Sequence, residues 1–282
     1  MHHGYDTRMR TIVVTGASSG VGLAAAGQLA ALGDQVIAVG RDPRRLDAAM
    51  AEIRAVAKGP EPDGVRTDFE SLADVRGLAR HVLDSYEKID VLANNAGGML
   101  GSYRTTADGF EATEQSNHLA PFLLANLLRE RLSGGRIVNT SSEAHRRSRV
   151  HPRDFTGDPK SWNAWRAYGE TKGENILFAA EAARRWPDIT SVSFHPGLVR
   201  SNFGAGRVTR LFYRVWPVMT SPEAAGEVLT WLATTPVENL TDGAYYVGRT
   251  VRQPREWVTD PQLAAELWAA SAQATGSRET AG

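Results

Sequence analysis

Cysteine is absent from this chain of 282 residues, as are long apolar runs and an excess of charge of either sign. Without cysteine, a disulfide framework and thiolate chemistry are excluded. The seven histidines form no HExxH pattern and no cluster at metal-ligand spacing, so we expect no metal site. Lysine plus arginine and aspartate plus glutamate each total 32. With this balance the chain has no net positive charge that would attract a polyanion, which argues against nucleic acid as a partner.

No stretch approaches the roughly 18 uninterrupted apolar residues that a membrane-spanning helix requires. The first residues, MHHGYDTRMR, also lack the apolar core of a signal peptide. We therefore expect a protein without a membrane span that works in the cytoplasm. His2 and His3 fit either an expression tag or a native tail, and neither interpretation bears on function.

Short β-branched segments alternate with longer segments of helical periodicity, which is typical of successive βαβ units around a parallel sheet. Strands are predicted at residues 11–15, 35–39, 65–68, 90–94, 136–140, 190–195 and 243–247. Helices are predicted at residues 21–32, from 42 onward, and at 71–86, 116–132, 162–186, 222–233 and 261–274. The prediction is one α/β domain over residues 11–275, a Rossmann-like doubly wound parallel sheet of about seven strands with helices on both faces. Residues 1–10 and 276–282 are predicted to be flexible tails.

A glycine-rich segment, TGASSGVG, stands at residues 15–22 between the first predicted strand and helix. A dinucleotide-binding fold needs glycine there because the backbone turns tightly and approaches a pyrophosphate, which the helix N-terminus attracts. Gly20 and Gly22 are the expected sites of closest approach. An ordinary strand-to-helix turn would also carry glycines, so this motif alone does not decide between a ligand and a turn.

The second predicted strand ends in VGRD, with Gly40 where an NAD-preferring enzyme carries a carboxylate for the ribose 2′-hydroxyl. Arg41 follows, and a guanidinium holds a 2′-phosphate through two charge-assisted hydrogen bonds. These residues favour NADP(H) over NAD(H). In the alternative interpretation, Arg41 is a solvated residue at a helix start and pairs with Asp42. This interpretation leaves Gly40 unexplained.

Tyr168 and Lys172 lie four residues apart in a predicted helix, so they project from one face with Cβ atoms roughly 5 to 6 Å apart. An ordinary phenol has a pKa near 10, and its use near neutral pH costs about 4 kcal/mol, part of which an adjacent ammonium removes. The YxxxK pattern is short. A tyrosine and a lysine on the surface of an amphipathic helix would match it equally.

Several motifs in fixed order resemble those of the short-chain dehydrogenase/reductase family, over residues 11–248. The matching segments are TGxxxGxG at 15–22, NNAG at 94–97, Asn117, Ser142, Tyr168-x-x-x-Lys172 and HPG at 195–197. Within the family, the chain is most similar to the retinol-dehydrogenase-like reductases. The segments that carry this similarity are VGRD, the long stretch before Tyr168, SPEAAGEVLTWLA at 221–233 and Leu-Trp at 267–268.

The resemblance implies four catalytic residues, Asn117, Ser142, Tyr168 and Lys172. Ser142 would hydrogen-bond the substrate oxygen, and Tyr168 would exchange a proton with it. Lys172 would bind the nicotinamide ribose and lower the tyrosine pKa, while Asn117 would hold a water that links the lysine to solvent. Ser142 is preferred to Ser141 because the family places its serine last in such a pair and a strand alternates its faces.

The resemblance also implies a cofactor-binding set. Asn95 and Gly97 would shape the loop under the adenosine ribose, although turn chemistry alone would explain them. Asp68 would reach the adenine or serve only as a turn residue. Ser201 stands where relatives often carry threonine, and backbone groups of Val199 would face the carboxamide. The full set is Gly16, Ser18, Ser19, Gly20, Val21, Gly22, Arg41, Asp68, Phe69, Asn95, Ala96, Gly97, Tyr168, Lys172, Pro196, Gly197, Val199 and Ser201.

Two segments offer candidate substrate contacts. The interval between Ser142 and Tyr168 is longer than in most of the family and contains Arg146, Arg147, Arg149, Phe155, Trp162 and Trp165. Either its aromatic residues line an apolar pocket with arginines at the mouth, or it is a solvated basic loop held down by its aromatic residues. Residues 207–218 show helical spacing, and residues 203–220 are predicted to form a lid over the substrate. Core packing and a membrane-surface helix are the alternatives.

The sequence therefore predicts an NADP(H)-dependent oxidoreductase that reduces an aldehyde or ketone, or oxidises the corresponding alcohol, with Tyr168 as general acid or base. The expected partner is a small apolar carbonyl compound or alcohol. A non-catalytic NADP(H)-binding redox sensor or scaffold is the alternative, since a fold does not fix a function. The alanine-rich residues 179–183 could contact a second subunit or their own sheet, so a homodimer or homotetramer stays open.

Overall fold

The computed structural model describes residues 9–151, 155–199 and 219–277. Its eight strands are β1 (Thr11–Thr15), β2 (Gln35–Gly40), β3 (Asp63–Arg66), β4 (Val91–Asn94), β5 (Arg136–Thr140), β6 (Thr190–His195), β7 (Tyr245–Val247) and β8 (Thr250–Val251). They form one sheet in the order β3-β2-β1-β4-β5-β6-β7-β8. All neighbouring strands are parallel except β7 and β8, which are antiparallel. The chain changes direction across the sheet between β1 and β4, where folds of this type bind their ligands.

The described helices are α1 (Gly20–Ala31), α2 (Pro43–Val56), α3 (Leu72–Ser85), α4 (Ala112–Glu114), α5 (Ala120–Leu128), α6 (Ala164–Arg185), α7 (Pro222–Thr234) and α8 (Pro261–Thr275). A π-helical turn, Gln115–Leu119, joins α4 to α5. Polar side chains begin several of these helices. Asp42, Ser71, Ser221 and Asp260 each accept a hydrogen bond from a backbone N–H in the first turn, which satisfies donors that have no partner within the helix.

Alternating strand residues build a core on each face of the sheet. One face carries Ile12, Val14, Val36 and Ala38 against apolar residues of α1, α2 and α7. The other carries Val13, Ile37, Leu92 and Ile137 against α3, α5, α6 and α8. Helices therefore cover both faces, and the predicted doubly wound α/β fold is confirmed.

Aromatic rings fix the C-terminal helix α8 against α5 and α6. The Trp268 ring lies 5.0 Å from Phe122, 5.7 Å from Phe178 and 4.9 Å from Trp186 between centroids. Edge-on and offset contacts of this kind stabilise by about 0.5–1.5 kcal/mol each beyond the buried area. In the alanine-rich stretch, Ala179 and Ala182 are fully buried, and Ala182 belongs to this core. The packing holds α6, the helix that carries Tyr168 and Lys172, in a fixed position.

The structure differs from the predicted elements at a few boundaries. The third strand begins at Asp63, two positions before the expected residue 65, because its pairing with β2 starts at Ile37 and Asp63. The strand β8 was not predicted, since it has only two residues after a turn at Gly248. Ser201 and residues 203–218 of the predicted lid lie outside the described residues. Of the helices in the described ranges, none has the length and apolarity to cross a bilayer.

Candidate active site

A cleft of about 950 Å³ lies at the carboxyl ends of the parallel strands, across the point between β1 and β4. The segments that follow β1, β2, β4, β5 and β6 form its walls, together with the first turns of α6. The structure brings most of the predicted site residues to this lining: Gly16, Ser18, Ser19, Val21, Arg41, Asn95, Ala96, Gly97, Ser142, Tyr168, Lys172, Pro196, Gly197 and Val199.

The glycine loop is shaped for close backbone approach. Gly16 has a φ of +69°, and a Cβ atom there would lie 2.9 Å from Cα of Ala96. A Cβ atom on Gly22 would collide with the carbonyl oxygen of Gly16. Gly20 and Gly22 themselves are not part of the cleft lining, whereas Gly16 is. Gly22 therefore serves the packing of α1 against the loop, and Gly16 borders the space for a ligand.

Thr15 and Asn95 join the glycine loop to the loop after β4. The Thr15 hydroxyl donates to the carbonyl oxygen of Ala93 (3.1 Å) and accepts from the backbone N–H groups of Asn95 (2.9 Å) and Ala96 (3.0 Å). The Asn95 amide donates to the Thr15 carbonyl oxygen at 3.0 Å. Ser19, at the start of α1, makes no side-chain capping bond. The first N–H groups of α1 stay available, so this end of the helix fits the pyrophosphate of a dinucleotide.

Besides Gly20 and Gly22, two further predicted cofactor residues, Asp68 and Phe69, lie away from the cleft lining. Phe69 is buried in the core beside α3. Asp68 accepts a hydrogen bond from the Glu70 backbone at 3.0 Å, and its carboxylate lies 3.8 Å from the Arg41 guanidinium. Asp68 would therefore act on a cofactor only indirectly, through its contact with Arg41 and through the turn that leads into α3.

Tyr168 and Lys172 meet at the floor of the cleft, on the first turns of α6. The Lys172 ammonium lies 5.3 Å from the centroid of the Tyr168 ring and donates to the carbonyl oxygen of Thr140 at 3.1 Å. Lys172 is 3% exposed, and burial lowers its pKa to about 8. The same carbonyl accepts from the Asn175 amide at 3.0 Å. The ammonium thus lies near the aromatic ring of Tyr168.

The two serines after β5 point to different partners. The Ser141 hydroxyl donates to the carbonyl oxygen of Lys172 at 2.6 Å and so ties β5 to α6. The Ser142 hydroxyl accepts from the backbone N–H of Ala144 at 3.2 Å and caps a 3₁₀ turn, Glu143–Arg147. Since the Ser142 oxygen only accepts in this contact, its own proton is available to a group in the cleft.

Asn117 lies in the π-helical turn and is fully buried outside the cleft lining. Its amide donates to the Gly98 carbonyl oxygen (3.0 Å) and to the Thr171 hydroxyl (3.1 Å), and its oxygen accepts from the Gly98 N–H at 2.9 Å. Thr171 directly precedes Lys172. Asn117 therefore fixes the loop after β4 to α6, and π turns within helices are frequent at functional sites.

In the long segment before Tyr168, some residues fit the pocket interpretation and others fit the interpretation as a loop held down by its aromatic residues. Arg147 and Trp165 line the cleft, and Trp165 is 49% exposed. Phe155 is buried, with its ring 6.5 Å from that of Phe110, while Trp162 lies edge-on to Tyr103 at 6.4 Å. The segment thus supplies one aromatic residue to the cleft, and the others hold the loop to the body of the protein.

Sequence reasoning missed several residues of the cleft lining, among them Arg45, Glu143 and His195. Arg45 stands four positions after Arg41, a spacing that puts both on one side of a helix start and could have revealed it. Glu143 carried no such signal, whereas His195 begins the HPG motif, of which only Pro196 and Gly197 were assigned to the site. His195 is 8% exposed, and among the described residues its buried Nδ1 has no hydrogen-bond partner.

Comparisons with known proteins agree with this architecture. A model of the short chain dehydrogenase family matches residues 10–209. A protein of Streptomyces sp. (strain C5), named provisionally as a daunorubicin C-13 ketoreductase, is 50% identical over 267 residues, which are 95% of this chain and 93% of that protein. Retinol dehydrogenase 13 of Homo sapiens is 34% identical over 282 residues, covering 95% of this chain and 85% of that protein.

Among solved structures, an uncharacterized protein from Mycobacterium paratuberculosis is 31% identical, with a TM-score of 0.77 and coverage of 95% of this chain and 94% of the other. The predicted resemblance to retinol-dehydrogenase-like proteins is confirmed. The chain therefore belongs to the short-chain dehydrogenase family and is an oxidoreductase of carbonyl and alcohol groups that uses a nicotinamide cofactor.

Proposed function

We propose that this protein is an NADP(H)-dependent ketoreductase that reduces a ketone on a bulky aromatic compound, with Tyr168 as general acid. The observation that carries the proposal is the placement of Ser142, Tyr168 and Lys172 on one cleft together with the glycine loop. The 50% identity to a protein named as a daunorubicin ketoreductase, over nearly the whole chain, supports an aromatic polyketide as the substrate class. A non-catalytic redox sensor has no use for this combination of hydroxyl, phenol and ammonium.

The side chains divide the chemistry of carbonyl reduction. Ser142 donates a hydrogen bond to the substrate oxygen and keeps its proton, while its own oxygen accepts from the Ala144 N–H. The hydrogen bond from Ser142 stabilises the negative charge that develops on the substrate oxygen. Tyr168 then gives its proton to the oxygen, and the nearby Lys172 ammonium stabilises the phenolate that remains. When bound, the nicotinamide supplies the hydride.

Three residues at the end of β2 and the start of α2 support the phosphorylated cofactor. Gly40 leaves no carboxylate for the ribose hydroxyl, and a Cβ atom there would lie 3.0 Å from Cβ of Ser18, so a larger residue would require Ser18 to shift. Arg41 and Arg45 both line the cleft. Within the described residues, the Arg45 guanidinium pairs with no carboxylate, which leaves it available to a 2′-phosphate.

Arg41 is held in the cleft by a shared carboxylate. Its guanidinium contacts Glu70 at 2.8 Å, and Arg104 binds the same carboxylate at 2.6 and 2.9 Å. The Arg104 hydrogen bonds hold the pKa of Glu70 below its ordinary value. Within the described residues, the contacts of Arg41 with Glu70 and Asp68 both use Nη1, so its other N–H groups remain available to a 2′-phosphate.

Replacement of Arg41 or Arg45 by alanine should weaken NADPH binding by about tenfold each, because each loses a charge-assisted hydrogen bond. NADH binding should change less than about twofold. Fluorescence titration of both nucleotides measures this. Arg44→Ala is the matched control, since Arg44 is exposed on the same helix and is not in the cleft lining. An equal loss of NADH and NADPH affinity would count against the 2′-phosphate assignment.

The substrate class is tested with a panel of carbonyl compounds, followed by the absorbance of NADPH. The panel contains polycyclic aromatic ketones, retinal, long-chain aldehydes and small aliphatic ketones. We expect the highest kcat/KM with the polycyclic ketones. Faster reduction of retinal or an alkyl aldehyde would assign that class of substrate in place of the aromatic polyketides. No turnover of any compound would refute the reductase assignment.

Trp165 offers an exposed ring at the cleft, three residues before Tyr168 on α6. Trp165→Ala should raise the KM of a polycyclic aromatic ketone about tenfold, because a stacked aromatic pair and its buried area are lost. The same variant assayed with a small aliphatic ketone is the control, and there the KM should stay within about twofold. Equal changes for both substrates would show that Trp165 does not recognise the aromatic ring.

A further inference from the structure

A polar network with two buried members and one half-buried member surrounds the 3₁₀ turn that Ser142 begins. It consists of Glu143, His145 and Tyr245, here called the serine clamp. Glu143 and His145 belong to the turn, whereas Tyr245 belongs to β7 on a distant part of the chain. His145 is fully buried and Tyr245 is 2% exposed. The rings of these two residues meet edge-on at 5.2 Å.

His145 bridges the Ser142 carbonyl to the C-terminal segment. Its Nδ1 lies 2.6 Å from the Ser142 carbonyl oxygen, and its Nε2 lies 3.3 Å from the backbone nitrogen of Arg255. A carbonyl only accepts and a backbone N–H only donates, so Nδ1 carries the proton and Nε2 accepts. Burial lowers the pKa of His145, which keeps the ring in this neutral form.

Glu143 and Tyr245 form the second arm of the clamp. The Tyr245 hydroxyl donates to Oε1 of Glu143 at 2.9 Å, and Arg146 binds the other oxygen. Burial raises the pKa of Glu143, but the hydrogen bonds from Arg146 and Tyr245 outweigh it and hold the pKa low. Burial, the Glu143 charge and the nearby Tyr168 raise the pKa of Tyr245. The donor and acceptor of this bond are therefore fixed near neutral pH.

We propose that the serine clamp positions the Ser142 hydroxyl for reaction with the substrate oxygen, with Tyr245 and His145 as positioning residues. The inference rests on the proposed roles of Ser142 and Tyr168. A 3₁₀ turn of five residues has poor internal hydrogen-bond geometry, so contacts from outside must fix it. Glu143 ties one side of Ser142 to β7, and His145 ties its carbonyl to residue 255. A catalytic group needs placement within about 0.5 Å, which such supporting contacts provide.

Tyr245→Phe tests the arm formed by Glu143 and Tyr245, with Tyr246→Phe as the matched control. Tyr246 is the next residue of β7, is equally buried, and accepts a hydrogen bond from the Thr241 backbone at 2.8 Å with its hydroxyl. It faces the opposite core. Tyr245→Phe should lower kcat about tenfold with the Kd of NADPH unchanged, as expected for a lost hydrogen bond to a charged group. Tyr246→Phe should leave kcat within about twofold.

His145 provides a second test with a conservative rescue. His145→Asn keeps an N–H donor near the position of Nδ1, whereas His145→Leu removes both polar contacts. We expect kcat to fall about tenfold more in the leucine variant than in the asparagine variant. Thermal unfolding of each variant separates loss of folded protein from loss of rate, because kcat is referred to the folded fraction.

The outcomes separate this inference from the proposed function. If Tyr168→Phe retains turnover, the catalytic assignment fails whatever Tyr245→Phe does. If Tyr168→Phe is inactive but Tyr245→Phe and Tyr246→Phe have equal kcat values, the proposed function stands and the clamp is overturned. A rise in NADPH Kd without a change in kcat would also overturn it, since Ser142 is assigned to the substrate oxygen.

Discussion

Replacement of Tyr168 by phenylalanine should reduce turnover by about 10³-fold and leave NADPH affinity within about twofold. Only the hydroxyl is removed, so the substrate oxygen loses its proton donor. The ring stays in place because Tyr168 is 9% exposed within the fold, and the Lys172 ammonium 5.3 Å from the ring centroid retains its contact with an aromatic face. Single-turnover NADPH oxidation and a separate nucleotide titration measure the two quantities.

A second tyrosine controls for the loss of a phenolic hydroxyl. Tyr86 donates to Asp63 at 3.1 Å, remote from the cleft. Tyr86→Phe should therefore keep full turnover even if it alters stability slightly. Wild-type turnover in Tyr168→Phe would show that another group or solvent delivers the proton.

The doubly wound fold and most of its strands and helices could be predicted from the sequence because local periodicity and the rules of βαβ connection restrict the topology. Short elements were harder to predict from the sequence. The strand β8 has two residues and exists only because it pairs with β7 at Tyr246 and Val247. The register of β3 likewise depends on β2, a neighbour that local periodicity does not describe. Tertiary pairing decides such elements.

The proximity of the candidate catalytic residues could be predicted for a different reason. Tyr168 and Lys172 are close because one helix carries both, and the family resemblance singled out Ser142, which lies two residues after a predicted strand. The serine clamp has no comparable sequence pattern, because Glu143 and Tyr245 come from separate elements and meet only in the folded chain. Arg45 lies between these cases, since its spacing from Arg41 was visible but its position on the cleft depends on the start of α2.

Lys172→Met should stabilise the protein without nucleotide near pH 7 while it lowers turnover more than about 10²-fold. Burial lowers the pKa of Lys172 from its ordinary value of 10.5 to about 8. Keeping the buried ammonium protonated at neutral pH therefore costs about 3 kcal/mol. Methionine removes this cost, and the Thr140 carbonyl still accepts from Asn175 at 3.0 Å. Allowing for the lost Thr140 contact, we expect a gain in unfolding free energy of about 1–3 kcal/mol.

The pH dependence of this stability difference gives a stricter test. Between pH 8 and 10.5 the unfolded chain binds a proton at Lys172 that the folded protein has released. The free energy of unfolding of the wild type therefore rises with pH through this window, relative to the methionine variant. The gain in unfolding free energy of Lys172→Met over the wild type should be complete below pH 8 and should vanish above the ordinary lysine pKa. Urea unfolding at several pH values measures it, with the exposed Lys160→Met as control. Destabilisation by Lys172→Met at neutral pH would show that bonds to the ammonium outweigh its burial.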